Sequence, residues 1–382
     1  MALPEAPAAL APFLQVAADP SAAAVRAAAT GRKILGLQCA RLPEELPHAL
    51  GLQPWRLAVR RTATRHAPSV MQTFSCSWVQ ALLDQALSGE LANLWGVVFA
   101  ANTCDSLQNL PDIWRRTVNG PGRLHVMHLP ALSEGHAPLA LLQEELARLG
   151  RWLERETGQR LDRERLATSA RLFNRIRAAL RRLLALADRG EARHSWVQGA
   201  ATGAQLLDAE LAAAALETAV DELVARGAPE ERAPVRLMLV GGLLDDLRLL
   251  EWMEEHDAQP LVEETCTGAR TFEVQADIDE ADPLADLPRR HLRRSRCAVC
   301  AGSGRHRAAT LVASVRERRA AGVVFLPYRG CDPHAFDNVL LAQVLHDASI
   351  PHLTVEVDPQ LSNWGQVTTR LEAFLELCAE RS

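Results

Sequence analysis

Two Cys-Asp pairs, Cys104-Asp105 and Cys331-Asp332, follow near-identical runs, Gly96-Val97-Val98-Phe99 and Gly322-Val323-Val324-Phe325. A thiolate is both a nucleophile and a soft-metal ligand, and backbone N–H groups at a helix N-terminus stabilise it. In each copy an apolar, β-branched run stops at small or turn-forming residues and helical spacing follows, the pattern of a buried parallel strand feeding a helix. Each cysteine is therefore expected at the carboxyl end of a strand, the edge at which open α/β sheets bind ligands. Free cysteine also fills space in cores, so a single pair would carry little weight. Two copies in matching contexts point to function.

Six of the eight cysteines, Cys39, Cys76, Cys104, Cys266, Cys297 and Cys331, are read as strand-end positions, with Cys378 an incidental buried thiol. Cys39 follows Ile34-Leu35-Gly36-Leu37 and precedes Pro43-Glu44-Glu45, where proline and two acids suit a helix's first turn. Cys76 opens the helical run Val79 to Leu87, with Ser75 or Ser77 able to cap it. Cys266 follows the strand-like Pro260-Leu261-Val262. Cys297-Ala298-Val299-Cys300 is a CxxC with no second pair nearby, which argues against a structural zinc, and its setting does not suit thioredoxin-type redox chemistry. None of the six belongs to a compact ferredoxin-like ligand run, so the fold would have to gather them; thiolates at helix N-termini suit a soft metal cluster. His125, His128 and His334 are the candidate proton donors near neutral pH, the first two on opposite faces of one strand.

The elements that must position these residues are of α/β type. Strand-like runs at 34–39, 96–101, 124–129, 235–240, 260–262, 322–326 and 352–358 alternate with helical segments, with helices also expected over Leu243–Glu254, Pro288–Arg294 and Leu371–Glu380. Four segments are expected: a helical arm over 1–30, a first α/β domain over 31–137, a helical connector over 138–232 and a second α/β domain over 233–382. Arg163, Arg165, Arg171, Arg175, Arg177, Arg181 and Arg182 recur at helical spacing and read as a solvated face. Asp277, Asp279, Asp282 and Asp286 read as a loop.

With 382 residues, 48% hydrophobic and 23% charged, and a net charge of −5, the chain has the composition of a globular protein with a large core. No basic field argues for nucleic acid. There is no stretch of 18 apolar residues to span a membrane and no signal-peptide pattern at the N-terminus, so a cytoplasmic protein with reduced cysteines is expected. Neither a GxGxxG nor a GxxxxGK[ST] loop occurs, so nucleotide hydrolysis is not expected of this chain.

Taken in order, Cys39 with Pro43-Glu44-Glu45, Cys76-Ser77-Trp78, Cys104-Asp105, Cys266-Thr267-Gly268-Ala269-Arg270, Cys297-Ala298, Cys331-Asp332 and Gln366 to Arg370 resemble the 2-hydroxyacyl-CoA dehydratase and benzoyl-CoA reductase superfamily, which includes the double-cubane cluster proteins. The resemblance implies two similar parallel-sheet, flavodoxin- or Rossmann-like domains joined by a helical segment, with an iron–sulfur cluster between them. It implies Cys76, Cys104 and Cys331 as ligands of an open-site [4Fe-4S] cubane. If Cys39, Cys266 and Cys297 join them, the count is similar to the double-cubane [8Fe-9S] branch. It also implies an ATP-hydrolysing iron–sulfur activator as electron donor, and pairing with itself or with a related subunit. Arg296 stands where the family usually has proline before the fifth cysteine, and Cys300 is extra, so the choice between Cys297 and Cys300 stays open. Three functions are carried forward: a reductase component, a dehydratase subunit in a heterodimer, and a cluster-free two-lobed protein that binds a small ligand.

Overall fold

The apolar runs become the strands of two parallel sheets, because strands buried on both faces favour continuous Val, Leu, Ile and Phe. The computed structural model describes residues 5–59, 63–120, 122–227, 234–278, 283–294, 297–300 and 303–381; Asp279, Asp282 and Arg296 lie outside the described residues. The strands are β1 (Ile34–Leu37), β2 (Gln53–Arg56), β3 (Gly96–Ala101), β4 (Leu124–His128), β5 (Val235–Gly241), β6 (Ala258–Glu264), β7 (Gly322–Leu326) and β8 (His352–Thr354). The helices are α1 (Ala11–Ala18), α2 (Pro20–Ala29), α3 (Glu45–Ala49), α4 (Ser77–Leu87), α5 (Asp105–Thr117), α6 (His136–Thr157) and α7 (Arg163–Asp188), then α8 (His194–Ala204), α9 (Ala209–Arg226), α10 (Arg248–Glu255), α11 (Pro283–Arg293), α12 (Ser303–Glu317), α13 (Asp332–Asp347) and α14 (Trp364–Ala379).

The sheets have the orders β2-β1-β3-β4 and β6-β5-β7-β8, every pair parallel, so both halves follow one winding scheme. In each, the strand echoing the Gly-Val-Val-Phe run lies third in the order, and a helix starts a few residues beyond it. One apolar core, including Trp55, Trp78 and Phe99 from the first half and Leu237, Leu239 and Val324 from the second, joins the two sheets. Separate cores cover the outer face of the first sheet under α3 and α6, and of the second under α12 and α13.

Residues 8–29 are helical, as expected, and are packed on the rest of the chain: Leu10 and Phe13 are fully buried with α7, α8 and α9 in a core of their own. Several local expectations are corrected. Residues 243–247 are irregular, and helix begins only at Arg248. The helix read as Pro288–Arg294 already starts at Pro283, and the C-terminal helix at Trp364. The strand expected over 352–358 ends at Thr354, with Val357 making only an isolated bridge to Tyr328. Among the described residues no single helix is long and apolar enough to cross a membrane.

The arginine face is the largest correction. Arg175 and Arg182 are exposed and paired with Glu217 and Asp221, as a solvated face requires, but Arg177 is 2% exposed. Its Nη2 donates to Glu45 Oε1 at 2.6 Å and to Glu44 Oε2 at 3.0 Å, while Arg290 Nη1 of α11 donates to the same Glu45 oxygen at 3.2 Å. Burial opposes ionisation of Glu45, yet Arg177 and Arg290 hold its carboxyl well below the usual carboxylate range. This network clamps α3, α7 and α11 together.

Removing one partner from a buried pair strands a charge. Arg177→Met should lower stability by about 3 kcal/mol near pH 7, read as a lower urea midpoint. Because the folded pKa of Glu45 is depressed, its contribution is present above its unfolded value of about 4.3 and fades as pH falls through the folded one. The gap between variant and parent should therefore narrow on acidification. Equal midpoints at pH 7 would contradict the clamp.

Candidate metal centre

Cys76, Cys104 and Cys331 are the residues immediately before α4, α5 and α13, so each occupies an N-cap position. Serine, threonine, aspartate or asparagine normally fills that place and accepts a first-turn N–H. None of the three makes a regular side-chain cap, and Cys76 itself, not Ser75 or Ser77, is the cap residue. First-turn amides nevertheless act on the sulfurs: those of Val79 and Trp78 on Cys76, Leu107 and Ser106 on Cys104, and His334 on Cys331.

Backbone contacts bring the three loops together. Cys76 N–H donates to Ser106 Oγ at 3.1 Å, in the first turn of α5, and Ser77 N–H donates to the Arg329 carbonyl at 2.9 Å, two residues before Cys331. Gly330, at φ +74°, passes so close that an added Cβ would lie 3.1 Å from the Phe74 carbonyl oxygen and 3.2 Å from that of Ser75. Only glycine meets both the backbone angle and the approach without strain. The chain before Cys76 is held by Asp84 of α4, which accepts the N–H groups of Arg65, His66 and Ala67.

All three cysteines line one cavity of about 750 Å³ between the two sheets, with Asp105, Arg305 and Asp332 around it. A hydrogen bond from Cys331 lowers the Cys76 thiol and raises that of Cys331, and burial pushes Cys104 up to about 11. Sulfurs this desolvated, facing N–H dipoles and one another, are poorly satisfied as thiols. The donor set is all sulfur, which suits iron–sulfur chemistry. Among the described residues no three His, Cys, Asp or Glu side chains close on a single ion. The lining therefore offers an all-sulfur donor set, with Cys76 and Cys331 hydrogen-bonded to each other.

The structure gathers the other cysteines into a second group. Cys39 follows β1 and Cys266 follows β6, while Cys297 and Cys300 lie in a turn beyond α11. Two of the six positions therefore differ from the strand-end reading: Cys76 comes after an excursion that follows β2, and Cys297 after a helix. Cys39 lies within electrostatic reach of Cys266 and Cys297. The hydrogen bond between Cys297 and Cys300 raises the first and pulls the second down to about 6. Arginines, whose place here sequence reading missed, accompany them: Arg41 Nη1 donates to Cys300 Sγ at 3.4 Å and Arg270 Nη1 to Cys266 Sγ at 3.5 Å. Cys378 is buried in the core under α14, away from both groups.

The histidines divide differently. His334 sits in the first turn of α13 against Gly242, where an added Cβ would lie 2.8 Å from its Nε2, and burial holds it down to about 3. His125 is packed on Trp152 with ring centroids 5.0 Å apart, and His128 contacts Arg148 at 3.3 Å. None of the three histidines expected as proton donors, His125, His128 and His334, is among the residues that line the cavity of Cys76, Cys104 and Cys331.

Comparison with known proteins follows the same outline. A family model described as the D-component of 2-hydroxyglutaryl-CoA dehydratase matches residues 39–378. The (R)-phenyllactyl-CoA dehydratase beta subunit of Clostridium sporogenes is 25% identical over 352 residues, covering 91% of this chain and 92% of the relative. The lactoyl-CoA dehydratase subunit beta of Anaerotignum propionicum is 24% identical, over 92% and 93% of the two chains. The (R)-2-hydroxyglutaryl-CoA dehydratase subunit beta of Acidaminococcus fermentans is 23% identical, over 95% and 97%.

Burial draws His125 down to about 4, below its unfolded value of about 6.5, so only the unfolded chain gains a proton between those values and stability falls as pH drops through that window. His125→Leu should lose less stability between pH 7 and pH 5 than the parent, read from urea midpoints. An equal or larger loss would show that His125 is not held neutral.

Proposed function

We propose that this chain, which belongs to the 2-hydroxyglutaryl-CoA dehydratase D-component family, is one iron–sulfur subunit of a 2-hydroxyacyl-CoA dehydratase that works beside a related subunit. The observation that carries the reading is the convergence of Cys76, Cys104 and Cys331, each at a helix N-terminus, on one cavity between the sheets. They would hold a [4Fe-4S] cluster whose fourth iron lacks a cysteine. Such an iron supplies Lewis acidity and one-electron reduction. Very low-potential electrons would come from a separate ATP-hydrolysing iron–sulfur activator, in keeping with the lack of a phosphate loop here.

The chain's own residues prepare that site. The first-turn amides of α4, α5 and α13 pull toward the thiolate, at Cys104 and Cys331 against the stronger upward push of burial and neighbouring thiols. Arg305 places a cation at the cavity for an anionic group of an acyl-CoA. His334, held neutral by burial, is not a cationic acid near pH 7. The names of the relatives, beta subunits of dehydratases, support a heterodimer over a homodimer.

A second reading is a reductase component with a double-cubane cluster; the placing of Cys39, Cys266 and Cys297 near one another favours it. Anaerobic purification with the partner subunit, followed by iron and sulfide analysis and an activator-coupled assay, separates the readings. The dehydratase reading expects iron and sulfide, turnover of 2-hydroxyacyl-CoA esters, and a loss of about a hundredfold or more in turnover, together with iron, in Cys104→Ala. Reduction of acetylene or azide alone would favour the reductase, and a colourless chain without iron would leave only a cluster-free ligand-binding protein.

A further inference from the structure

The second thiol group carries more positive charge than its four cysteines would need as neutral thiols. Beside the direct bonds from Arg41 to Cys300 and from Arg270 to Cys266, the charges of Arg56 and Arg294 act on Cys39. Three of these arginines have other partners. Arg41 also donates to the Pro130 carbonyl at 3.4 Å, Arg270 to Glu264 at 3.1 Å, and Arg294 to the carbonyls of Ala40 and Arg270. Arg56, 5% exposed, has the buried Asp245 carboxyl within electrostatic reach, yet its Nε and Nη1 have no hydrogen-bond partner. Buried guanidinium N–H groups without an acceptor are unfavourable, so this side chain has room for a further anionic partner.

Cys300 lies where that anion would be completed. The turn that carries it is closed by a hydrogen bond from Cys300 N–H to the Cys297 carbonyl at 3.0 Å, which puts both sulfurs on the same turn. Ala298 and Val299, between them, line the cavity of Cys76, Cys104 and Cys331. One short turn of chain therefore separates the two groups of thiols. Four thiolates on a four-iron core make a net anion, which matches the gathered arginines in sign.

We propose that Cys39, Cys266, Cys297 and Cys300 together close a second four-iron cluster on four protein thiolates, with Arg41, Arg56, Arg270 and Arg294 as its counter-charge. This rests on the iron–sulfur reading above and differs from both of its forms, because Cys300 becomes a ligand and no iron of this cluster is open to substrate. The closed cluster holds electrons, and substrate binds at the open one.

The test uses the anaerobically purified full chain with its partner subunit. The proposal expects about eight irons per chain. On mild ferricyanide oxidation only the open cluster should lose an iron, giving one three-iron electron paramagnetic resonance signal per chain. In Cys300→Ser a second three-iron signal should appear, or iron should fall to about four. Arg56→Gln, with Arg41→Gln as the alternative should the first fail to fold, should keep its iron but favour the oxidised form of the closed cluster at least tenfold at fixed potential. That is a fall of about 59 mV in midpoint for a one-electron couple.

Unchanged iron, oxidation signal and midpoint in Cys300→Ser would overturn the proposal while leaving the open cluster in place. So would about four irons in the parent, retained in both Cys39→Ser and Cys266→Ser. A parent chain without iron would overturn this proposal and the reading beneath it together.

Discussion

Three helices of this protein start on a cysteine that does not behave as a cap. At Cys76, Cys104 and Cys331 the chain forgoes a side-chain oxygen for the first-turn amides and sets a large, polarisable sulfur before them. Leaving a cap unmade costs on the order of 1 kcal/mol per helix. The loss falls on three helices that meet at one cavity, and a bound anionic cluster would recover it, since amide dipoles aimed at sulfur favour the thiolate. Much of the surrounding architecture serves to hold those three helix starts together: the glycine at 330 that lets one loop pass under another, the Asp84 carboxylate that ties down the chain before Cys76, and the backbone bonds among the three loops.

A second constraint works at longer range. The Glu45 carboxylate, fully buried and held by Arg177 and Arg290, joins α3 of the first sheet, α7 of the helical segment and α11. The turn bearing Cys297 and Cys300 follows α11, and Cys39 precedes α3, so one ion network fixes the approach of two parts of the second thiol group. A buried ion pair of this kind contributes little net stability compared with apolar packing, but it specifies one arrangement and penalises others. That is the property a site assembled from distant segments needs.

Much of this was legible in the sequence. The two Gly-Val-Val-Phe runs read as central strands because their β-branched and aromatic residues have no polar face, and both cysteines that follow them begin helices, as spacing suggests. Cys76 and Cys297 were misplaced at strand ends because each is preceded by an irregular or helical approach that leaves no periodic trace. The seven arginines of α7 looked alike for a related reason. Periodicity assigns a face to a helix, but it does not tell that Arg177 turns toward an acid more than a hundred residues earlier while Arg175 and Arg182 turn outward. Residues 1–30 were read as a helical arm because Pro4, Pro7, Pro12 and Pro20 interrupt their pattern; the alanines and leucines over 8–29 find partners only in the tertiary structure. Of the arginines beside the second thiol group, Arg270 stands in the Cys266–Arg270 motif, while Arg41 and Arg56 left no motif. Arg41, Arg56, Arg270 and Arg294 come from four parts of the chain that only the fold brings together.

The central claim is that the thiols before α4, α5 and α13 exist to hold iron. A crystal of the anaerobically purified chain, measured on both sides of the iron absorption edge, tests it most directly. The account expects strong anomalous density inside the cavity, bounded by Cys76, Cys104 and Cys331 and in contact with all three sulfurs. Three free thiols around solvent, or iron bound elsewhere in the molecule, would contradict it.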